Sequence, residues 1–146
     1  MSGLTEWLKG FFSLQQKKAN SGSQTGSITV QRTEPQRLLL TVRGVVSRRQ
    51  ITAAQQRILT LAGPGGRLRG LIQAEEFTGF APGAAGGMAE IERMYAVDEV
   101  MERFAVVADR AKHDDLNMFL GGWMREAKIK FFAPSELGAA GIWLES

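Results

Sequence analysis

Residues 101–144 read MERFAVVADRAKHDDLNMFLGGWMREAKIKFFAPSELGAAGIWL. Within this stretch, Phe104–Ala108 is a short, continuous apolar run flanked by charged residues, which is typical of a strand buried on both faces. Asp114–Ala127 carries apolar residues at helical spacing, and Lys128–Phe132 reads as a second short strand. Pro134 suits the first position of a closing helix. A strand, a crossover helix and another strand predict a parallel pair within an α/β fold.

The residues upstream extend this alternation of strands and helices. Two apolar runs at 27–32 and 37–42 flank a turn at 34–36 and predict an antiparallel hairpin. Ser47 and Gln50 then have the spacing of a capping box, which predicts that a helix begins there.

A third strand at 68–74, a Gly/Pro-rich loop at 77–87 and a helix at 88–102 connect the hairpin to the second half. The order of elements is therefore β-β-α-β-α-β-α-β-α. We expect an α/β fold with a mostly parallel sheet of about five strands covered by helices, in which only the first strand is antiparallel.

The N-terminal segment differs from the rest in composition. Residues 20–27 are polar and rich in Gly and Ser, as in a flexible linker, so we divide the chain into residues 1–26, an amphipathic helix with its linker, and a domain at 27–146. The helix is expected over residues 3–16 and presents one apolar stripe. Its residues are Leu4, Trp7, Leu8, Phe11 and Phe12.

Three alternatives remain open for this segment. It contacts a membrane surface peripherally, it docks on its own domain or on a second copy to make a homodimer, or it is disordered. Lys9, Lys17 and Lys18 suit anionic lipid headgroups. The segment is not a typical signal peptide, because Glu6 and Lys9 interrupt its apolar residues. We expect a cytoplasmic protein, with the inner face of the membrane as the candidate surface.

Composition excludes several classes of protein. The 146 residues include no cysteine, which excludes disulfides, thiolate zinc sites and cysteine nucleophiles. Residues 1–26 hold three lysines against one glutamate, which leaves 15 basic and 14 acidic side chains in residues 27–146. Because the domain is close to neutral and its charges are mixed along the chain, we expect no nucleic-acid partner. Basic side chains that come nearest to a patch are interpreted as a solvated helix face, with a site for an anionic partner as the alternative; they are Arg43, Arg48, Arg49 and Arg57.

The sequence contains no assembled catalytic motif. His113, the one histidine, precedes Asp114 and Asp115 where a helix should begin, and we interpret the three as a turn and helix start. Neither GxxxxGK[ST] nor GxGxxG occurs, which gives no reason to expect a nucleotide cofactor. Glu75 and Glu76 follow the third strand and are interpreted as solvated loop positions, with contact to a ligand or partner as the alternative. We expect no enzyme activity, no metal site and no cofactor.

From about Ile28 to Leu144 the chain resembles the SpoIIAA-like proteins, also described as the STAS/SEC14 group. The resemblance is carried by the quoted stretch and by Glu75-Glu76-Phe77-Thr78-Gly79-Phe80, which is similar to an acidic and aromatic loop of that family. It implies a binding module, with lipid-like ligands and membrane association suggested by the relation to lipid carriers. The alternative is a regulatory module like the anti-sigma-factor antagonists, but the serine that opens their helix after the third strand has no counterpart in EEFTGFAPGAAGG.

Large and flexible side chains suggest where a ligand would bind. We predict an apolar pocket between the helices at 88–102 and 114–127, covered by the loop at 77–87, since methionine adapts to irregular ligands. The alternative is that these side chains simply fill the core. The predicted ligand-binding residues are Phe77, Phe80, Met88, Tyr95, Met118, Phe119 and Trp123.

Overall fold

The computed structural model describes residues 26–84, 87–121 and 126–146, without the side chain of Phe119. The predicted N-terminal helix lies outside these residues. The strands are β1 (Ser27–Glu34), β2 (Arg37–Val46), β3 (Leu68–Phe80), β4 (Met101–Val107) and β5 (Lys128–Phe132). The helices are α1 (Arg48–Ala62), α2 (Met88–Val100), α3 (His113–Gly121) and α4 (Leu137–Glu145), with short 3-10 turns at Arg110–Lys112 and Pro134–Glu136.

The five strands form one sheet in the order β1-β2-β3-β4-β5. β1 pairs with β2 antiparallel, and the remaining neighbours are parallel, which confirms the predicted arrangement. Each crossover leads to the adjacent strand in the same direction, and such connections are right-handed. The helices α1, α2 and α3 consequently pack on one face of the sheet, while α4 packs alone on the other.

Two apolar cores result from this layering, one on each face of the sheet. The larger core joins alternate residues of the strands, such as Leu40 and Phe104, to α1, α2 and α3. The smaller core joins Leu71 and Ala105 to α4. Because successive strand residues point to opposite faces, strands covered on both sides must be apolar at nearly every position.

The sequence prediction was wrong about where β3 ends. β3 continues to Phe80 through register shifts, and its last residue pairs with Val46 at the end of β2. The predicted loop therefore begins at Ala81 instead of Phe77. Bulges allow this pairing to continue, because they absorb the extra residues of β3 at the cost of local ladder bonds.

Two helix ends also differ from the prediction. α2 ends at Val100, because Met101 already pairs with β3 as the first residue of β4. The described part of α3 ends at Gly121. Residues 122–125, which precede β5, lie outside the described ranges. The helix start at Ser47 agrees with the prediction, since its backbone N–H donates to Gln50 Oε1 at 2.9 Å.

Candidate functional site

A cavity of about 80 Å³ lies between the sheet and the helices of its larger core. Protein interiors contain few voids larger than a water molecule, whose share of liquid volume is about 30 Å³. This cavity is larger than that, and part of its boundary opens to solvent. Its strand wall includes Leu40, Val42, Ile72 and Phe104, and further lining residues are Ile28, Val46, Met94, Val97, Leu116 and Leu120.

Helix α1 contributes the wall opposite the strands. Ile51, Ala54 and Ile58 follow helical spacing, are buried, and line the cavity. This stripe brings an almost wholly apolar surface against the sheet. Water in such a cavity would find almost no hydrogen-bond partner, so an apolar occupant would displace only weakly held water.

Gln55 is the polar residue in the described lining, and its side chain is 4% exposed. Its Nε2 donates to the main-chain oxygen of Glu90 at 3.4 Å, and its Oε1 accepts from Arg93 Nε at 3.4 Å. Both distances lie beyond the usual range for N–H···O hydrogen bonds. Gln55 is therefore held weakly and links the cavity to the charged groups behind it.

The carboxylate of Glu90 organises those charged groups. It accepts from Arg48 Nε at 2.8 Å, from the backbone N–H of Gly87 at 2.8 Å, and from Arg93 Nη2 at 3.2 Å. The Arg48 hydrogen bond, followed by that of Gly87, lowers the pKa of Glu90 to about 2. The ionised carboxylate thus joins the first turn of α1 to the first turn of α2.

The carboxyl ends of the strands, where the sequence placed candidates for ligand contact, do not form a ligand site of the usual kind. Open α/β sheets bind ligands where the strand order reverses. The strands of this sheet follow one another in chain order from β1 to β5, so the order has no reversal. Glu76 forms an ion pair with Arg43 at 3.2 Å, and Lys112 Nζ donates to the main-chain oxygen of Thr78 at 2.8 Å. These contacts connect neighbouring elements and do not line the cavity.

His113 has a structural position. Its Nε2 lies 2.8 Å from the main-chain oxygen of Ala108 and 3.2 Å from that of Phe132. Carbonyl oxygens only accept, so Nε2 must carry the hydrogen in these contacts. The ring also packs against Phe131, with centroids 5.3 Å apart. The imidazole therefore ties the end of β4 to the end of β5 at the start of α3, in agreement with its interpretation as a turn residue.

The structure does not bring the predicted ligand-binding residues together. Phe80 lines the cavity, and Phe77 is buried beside it with ring centroids 4.9 Å apart. Met88 and Met118 are 70% and 78% exposed, and Tyr95 is 38% exposed. The cavity lies beneath α1, α2 and α3 against the sheet, and these three residues are not among its described lining. The side chains of Phe119 and Trp123, and the stripe Leu4, Trp7, Leu8, Phe11 and Phe12, lie outside the described residues.

Sequence reasoning missed the contribution of α1 to the site. In the sequence, Ile51, Ala54, Ile58 and Leu61 follow helical spacing and predict a buried stripe, but this spacing does not distinguish a cavity wall from a filled core. Gln55 beside Ala54 was the available signal, since a polar side chain next to a buried stripe needs a partner. Its partners Glu90 and Arg93 belong to α2, and sequence spacing alone could not place the two helices side by side.

The described residues form neither a metal-binding cluster nor a helix that could cross a membrane. No group of three or more histidine, aspartate or glutamate side chains among them is arranged to hold a metal ion. Across those same ranges, every helix is too short or too polar to cross a bilayer.

The fold defines the class of this protein as a binding or regulatory module in general. The SpoIIAA-like family matches residues 37–145, and the chain belongs to this family. The structure is similar to the crystal structure of an uncharacterised protein with a SpoIIAA-like fold from Shewanella loihica, with a TM-score of 0.62. That match has 15% sequence identity and covers 86% of this chain and 99% of the other. Among curated proteins, no sequence matches this chain significantly.

Proposed function

We propose that this chain is a non-catalytic binding module whose ligand is an apolar, lipid-like molecule. The observation that carries the proposal is the apolar cavity of about 80 Å³ between the sheet and the helix layer. It has roughly half the volume of an engineered 150 Å³ cavity that binds benzene. Without movement of the helices, the cavity accepts the end of an apolar chain, and the open side accommodates the remainder.

The regulatory alternative would use the start of α2, where the anti-sigma-factor antagonists carry their serine. In this chain the backbone N–H of Gly87 is already bonded to the carboxylate of Glu90, which Arg48 also holds. Residues 81–90 contain no serine or threonine for a kinase to modify, and the carboxylate of Glu90 already supplies a negative charge at this helix start. This arrangement favours ligand binding over switching by phosphorylation.

The test compares wild type with Ala54→Leu. Each full-length chain is titrated with decanol, and binding is measured by isothermal calorimetry. Ala54 lines the cavity and is 8% exposed, so the larger side chain should occupy the space of the ligand and weaken binding more than tenfold. Ala53→Leu is the matched control, because Ala53 is exposed on the same helix. Val97→Ile, which adds one methyl group in the same cavity, serves if the larger substitution prevents folding.

If wild type and Ala54→Leu bound decanol with equal affinity, the cavity would not be the binding site. If neither wild type nor any of the variants bound decanol, the proposal of an apolar ligand would be wrong. Native mass spectrometry of the purified chain gives an independent comparison. A retained lipid supports the proposal, and a stoichiometric protein in its place contradicts it.

We further propose that the N-terminal segment attaches the domain peripherally to an anionic membrane. The support is the apolar stripe, of which Trp7 and Phe11 are central members, followed by lysines. Trp7→Glu with Phe11→Glu should abolish co-sedimentation with anionic vesicles. The control, Gly10→Glu with Ser13→Glu, adds the same charge away from the stripe and should retain more binding. Equal binding by both double variants would contradict the membrane contact.

A further inference from the structure

One part of the sheet has no helix centred over it among the described residues. Helices α1, α2 and α3 cover one face of the sheet, and α4 packs on β3, β4 and β5 of the other. Parallel strands are almost always covered on both faces, because their crossovers place helices there. Two neighbouring strands are together about 10 Å wide, which is the width of one helix. The part of the second face formed by β1 and β2, here named the β1–β2 surface, therefore has room for one helix beside α4.

The β1–β2 surface is formed by alternate residues of the two strands. Thr29 and Gln31 of β1 pair with Thr41 and Leu39 of β2, and Leu39 belongs to the core beneath α4, which places all four on this face. Arg43 follows Thr41 on the same face of β2. Thr41 is 4% exposed and the Arg43 side chain is 11% exposed, although α4 is centred on other strands. The β1–β2 surface is consequently a surface for packing and not one open to solvent.

We propose that the N-terminal segment of the same chain, residues 3–16, docks as a helix on the β1–β2 surface. The point at which this segment leaves the domain supports the choice of occupant. Gly26, the first described residue, is buried, and Gln50 Nε2 donates to its carbonyl oxygen. A side-chain carbon at Gly26 would collide with the carbonyl group of Val45 at the end of β2. The preceding segment is thus anchored at one end of the β1–β2 surface.

The length of the segment fits this surface. A helix over residues 3–16 is about 21 Å long, and the eight residues of β1 extend over about 27 Å. Residues 17–25 can span up to about 30 Å, so the helix can lie in either direction along β1. The opposite face of β1 is already occupied, since Ile28 and Val30 pack with α1 in the larger core. The β1–β2 surface is therefore the part of the sheet within reach that a further helix can cover.

The composition of the segment also suits this surface. Threonine methyl groups and the aliphatic stem of Arg43 offer apolar contact to the stripe. The guanidinium group of Arg43, which forms an ion pair with Glu76 at 3.2 Å, suits the face of an aromatic ring such as that of Trp7. The stripe cannot face the sheet and a bilayer at once. Docking is thus the state of the chain away from a membrane, and the membrane contact proposed above requires its release.

The experiment uses the absence of cysteine from the sequence. Gln31→Cys and Arg32→Cys each introduce one thiol at neighbouring exposed positions of β1. The two thiols lie on opposite faces of the sheet, since Gln31 pairs with Leu39 and Arg32 pairs with Leu38. A short thiol-directed photocrosslinker is attached to each full chain, and the crosslinked peptides are identified by mass spectrometry. Gln31→Cys should crosslink to residues 3–16 of the same chain, and the control Arg32→Cys should do so several-fold less.

Three results would overturn the docking. They are equal crosslinking from both positions, no crosslink from Gln31→Cys to residues 3–16, and a product with the mass of two chains, which would assign the surface to a second copy. Adding Trp7→Glu and Phe11→Glu to Gln31→Cys should reduce the crosslink several-fold, and adding Gly10→Glu and Ser13→Glu should largely preserve it. An equal effect of both pairs would contradict docking through the stripe.

Anionic vesicles separate this inference from the membrane proposal. In chains that sediment with the vesicles, the crosslink from Gln31→Cys to residues 3–16 should be reduced several-fold. An undiminished crosslink in those chains would contradict the exclusion of one contact by the other. If the chain did not sediment with vesicles but formed the crosslink in solution, the membrane proposal would be wrong and the docking would stand.

Discussion

Substitution of Asp98 tests which contacts hold the helices against the sheet. Its side chain is 4% exposed near the end of α2, where a negative charge is unfavourable to the helix dipole. The carboxylate is stabilised by two backbone donors that precede β5. Ala127 N donates at 2.8 Å, and Glu126 N lies 2.9 Å and 3.1 Å from the two oxygens. Asp98 thus joins α2 to the segment between α3 and β5.

The expected cost of removing this carboxylate is worked from these two donors, which belong to the part of the chain that the structure describes. Each buried N–H left without an acceptor costs about 1–3 kcal/mol. Ala127 is buried while Glu126 is exposed, so water can replace the acceptor at Glu126 more easily. Asp98→Ala should therefore lower the free energy of unfolding by roughly 2–4 kcal/mol. Asp98→Asn retains one acceptor oxygen and should lower it by roughly 1–2 kcal/mol.

Urea unfolding followed by far-UV circular dichroism measures both effects. With a slope of about 2 kcal/mol/M, a loss of about 3 kcal/mol lowers the midpoint by about 1.5 M. Glu99→Ala is the matched control, because Glu99 is the exposed acidic neighbour on the same helix. If Asp98→Ala and Glu99→Ala changed stability by the same amount, the assigned backbone contacts would not contribute as described.

Two further predictions concern charge and backbone conformation. Glu90 has its pKa lowered from 4.5 to about 2, so its stabilisation is present above about pH 4.5 and is lost as the pH falls towards 2. The loss of unfolding free energy in Glu90→Gln should consequently be smaller at pH 3 than at pH 7 in urea titrations, and an equal loss at both would contradict this linkage. Gly63 has φ +64° and ψ −175° after α1, a conformation almost confined to glycine, so Gly63→Ala should destabilise by about 1–3 kcal/mol. Gly138→Ala in α4, with open space around the new carbon, should instead raise the melting temperature, and a change of the same sign in both variants would refute the distinction.

Several elements could be predicted because their signals are local. The run FAVVA corresponds to the core of β4, where Ala105, Val106 and Val107 are fully buried. The start of α1 followed from the spacing of Ser47 and Gln50, and that contact is present. In each case neighbouring residues carry the pattern, so the prediction needed no knowledge of distant parts of the chain.

The end of β3 could not be predicted in this way. Glu75–Phe80 contains charged residues, a glycine and no regular alternation, which favoured a loop. It is a strand because β2 continues to Val46 and supplies backbone partners as far as Phe80. A backbone hydrogen bond depends on what lies alongside, and strand propensity is correspondingly sensitive to context.

The candidate site shows the same limit for side chains. Met88, Met94 and Tyr95 occupy one helix, but only Met94 turns towards the sheet and lines the cavity. The apolar residues of α2 are spread around its circumference, so sequence periodicity did not fix which side faces inward. In the structure α2 buries Met94 and Val97 against the sheet, and Glu90 on the same helix reaches Arg48 of α1.

The sequence by itself determined the order of the strands and helices, the mostly parallel sheet and the family resemblance. Short-range periodicity and chain connectivity specify these features, because crossovers between parallel strands have one favoured hand. Only the tertiary structure decided that α1, α2 and α3 share one face, that the cavity lies beneath them, and that Gln55 meets Arg93 at its edge. These features depend on contacts between residues about 40 positions apart, which the local pattern of a chain does not encode.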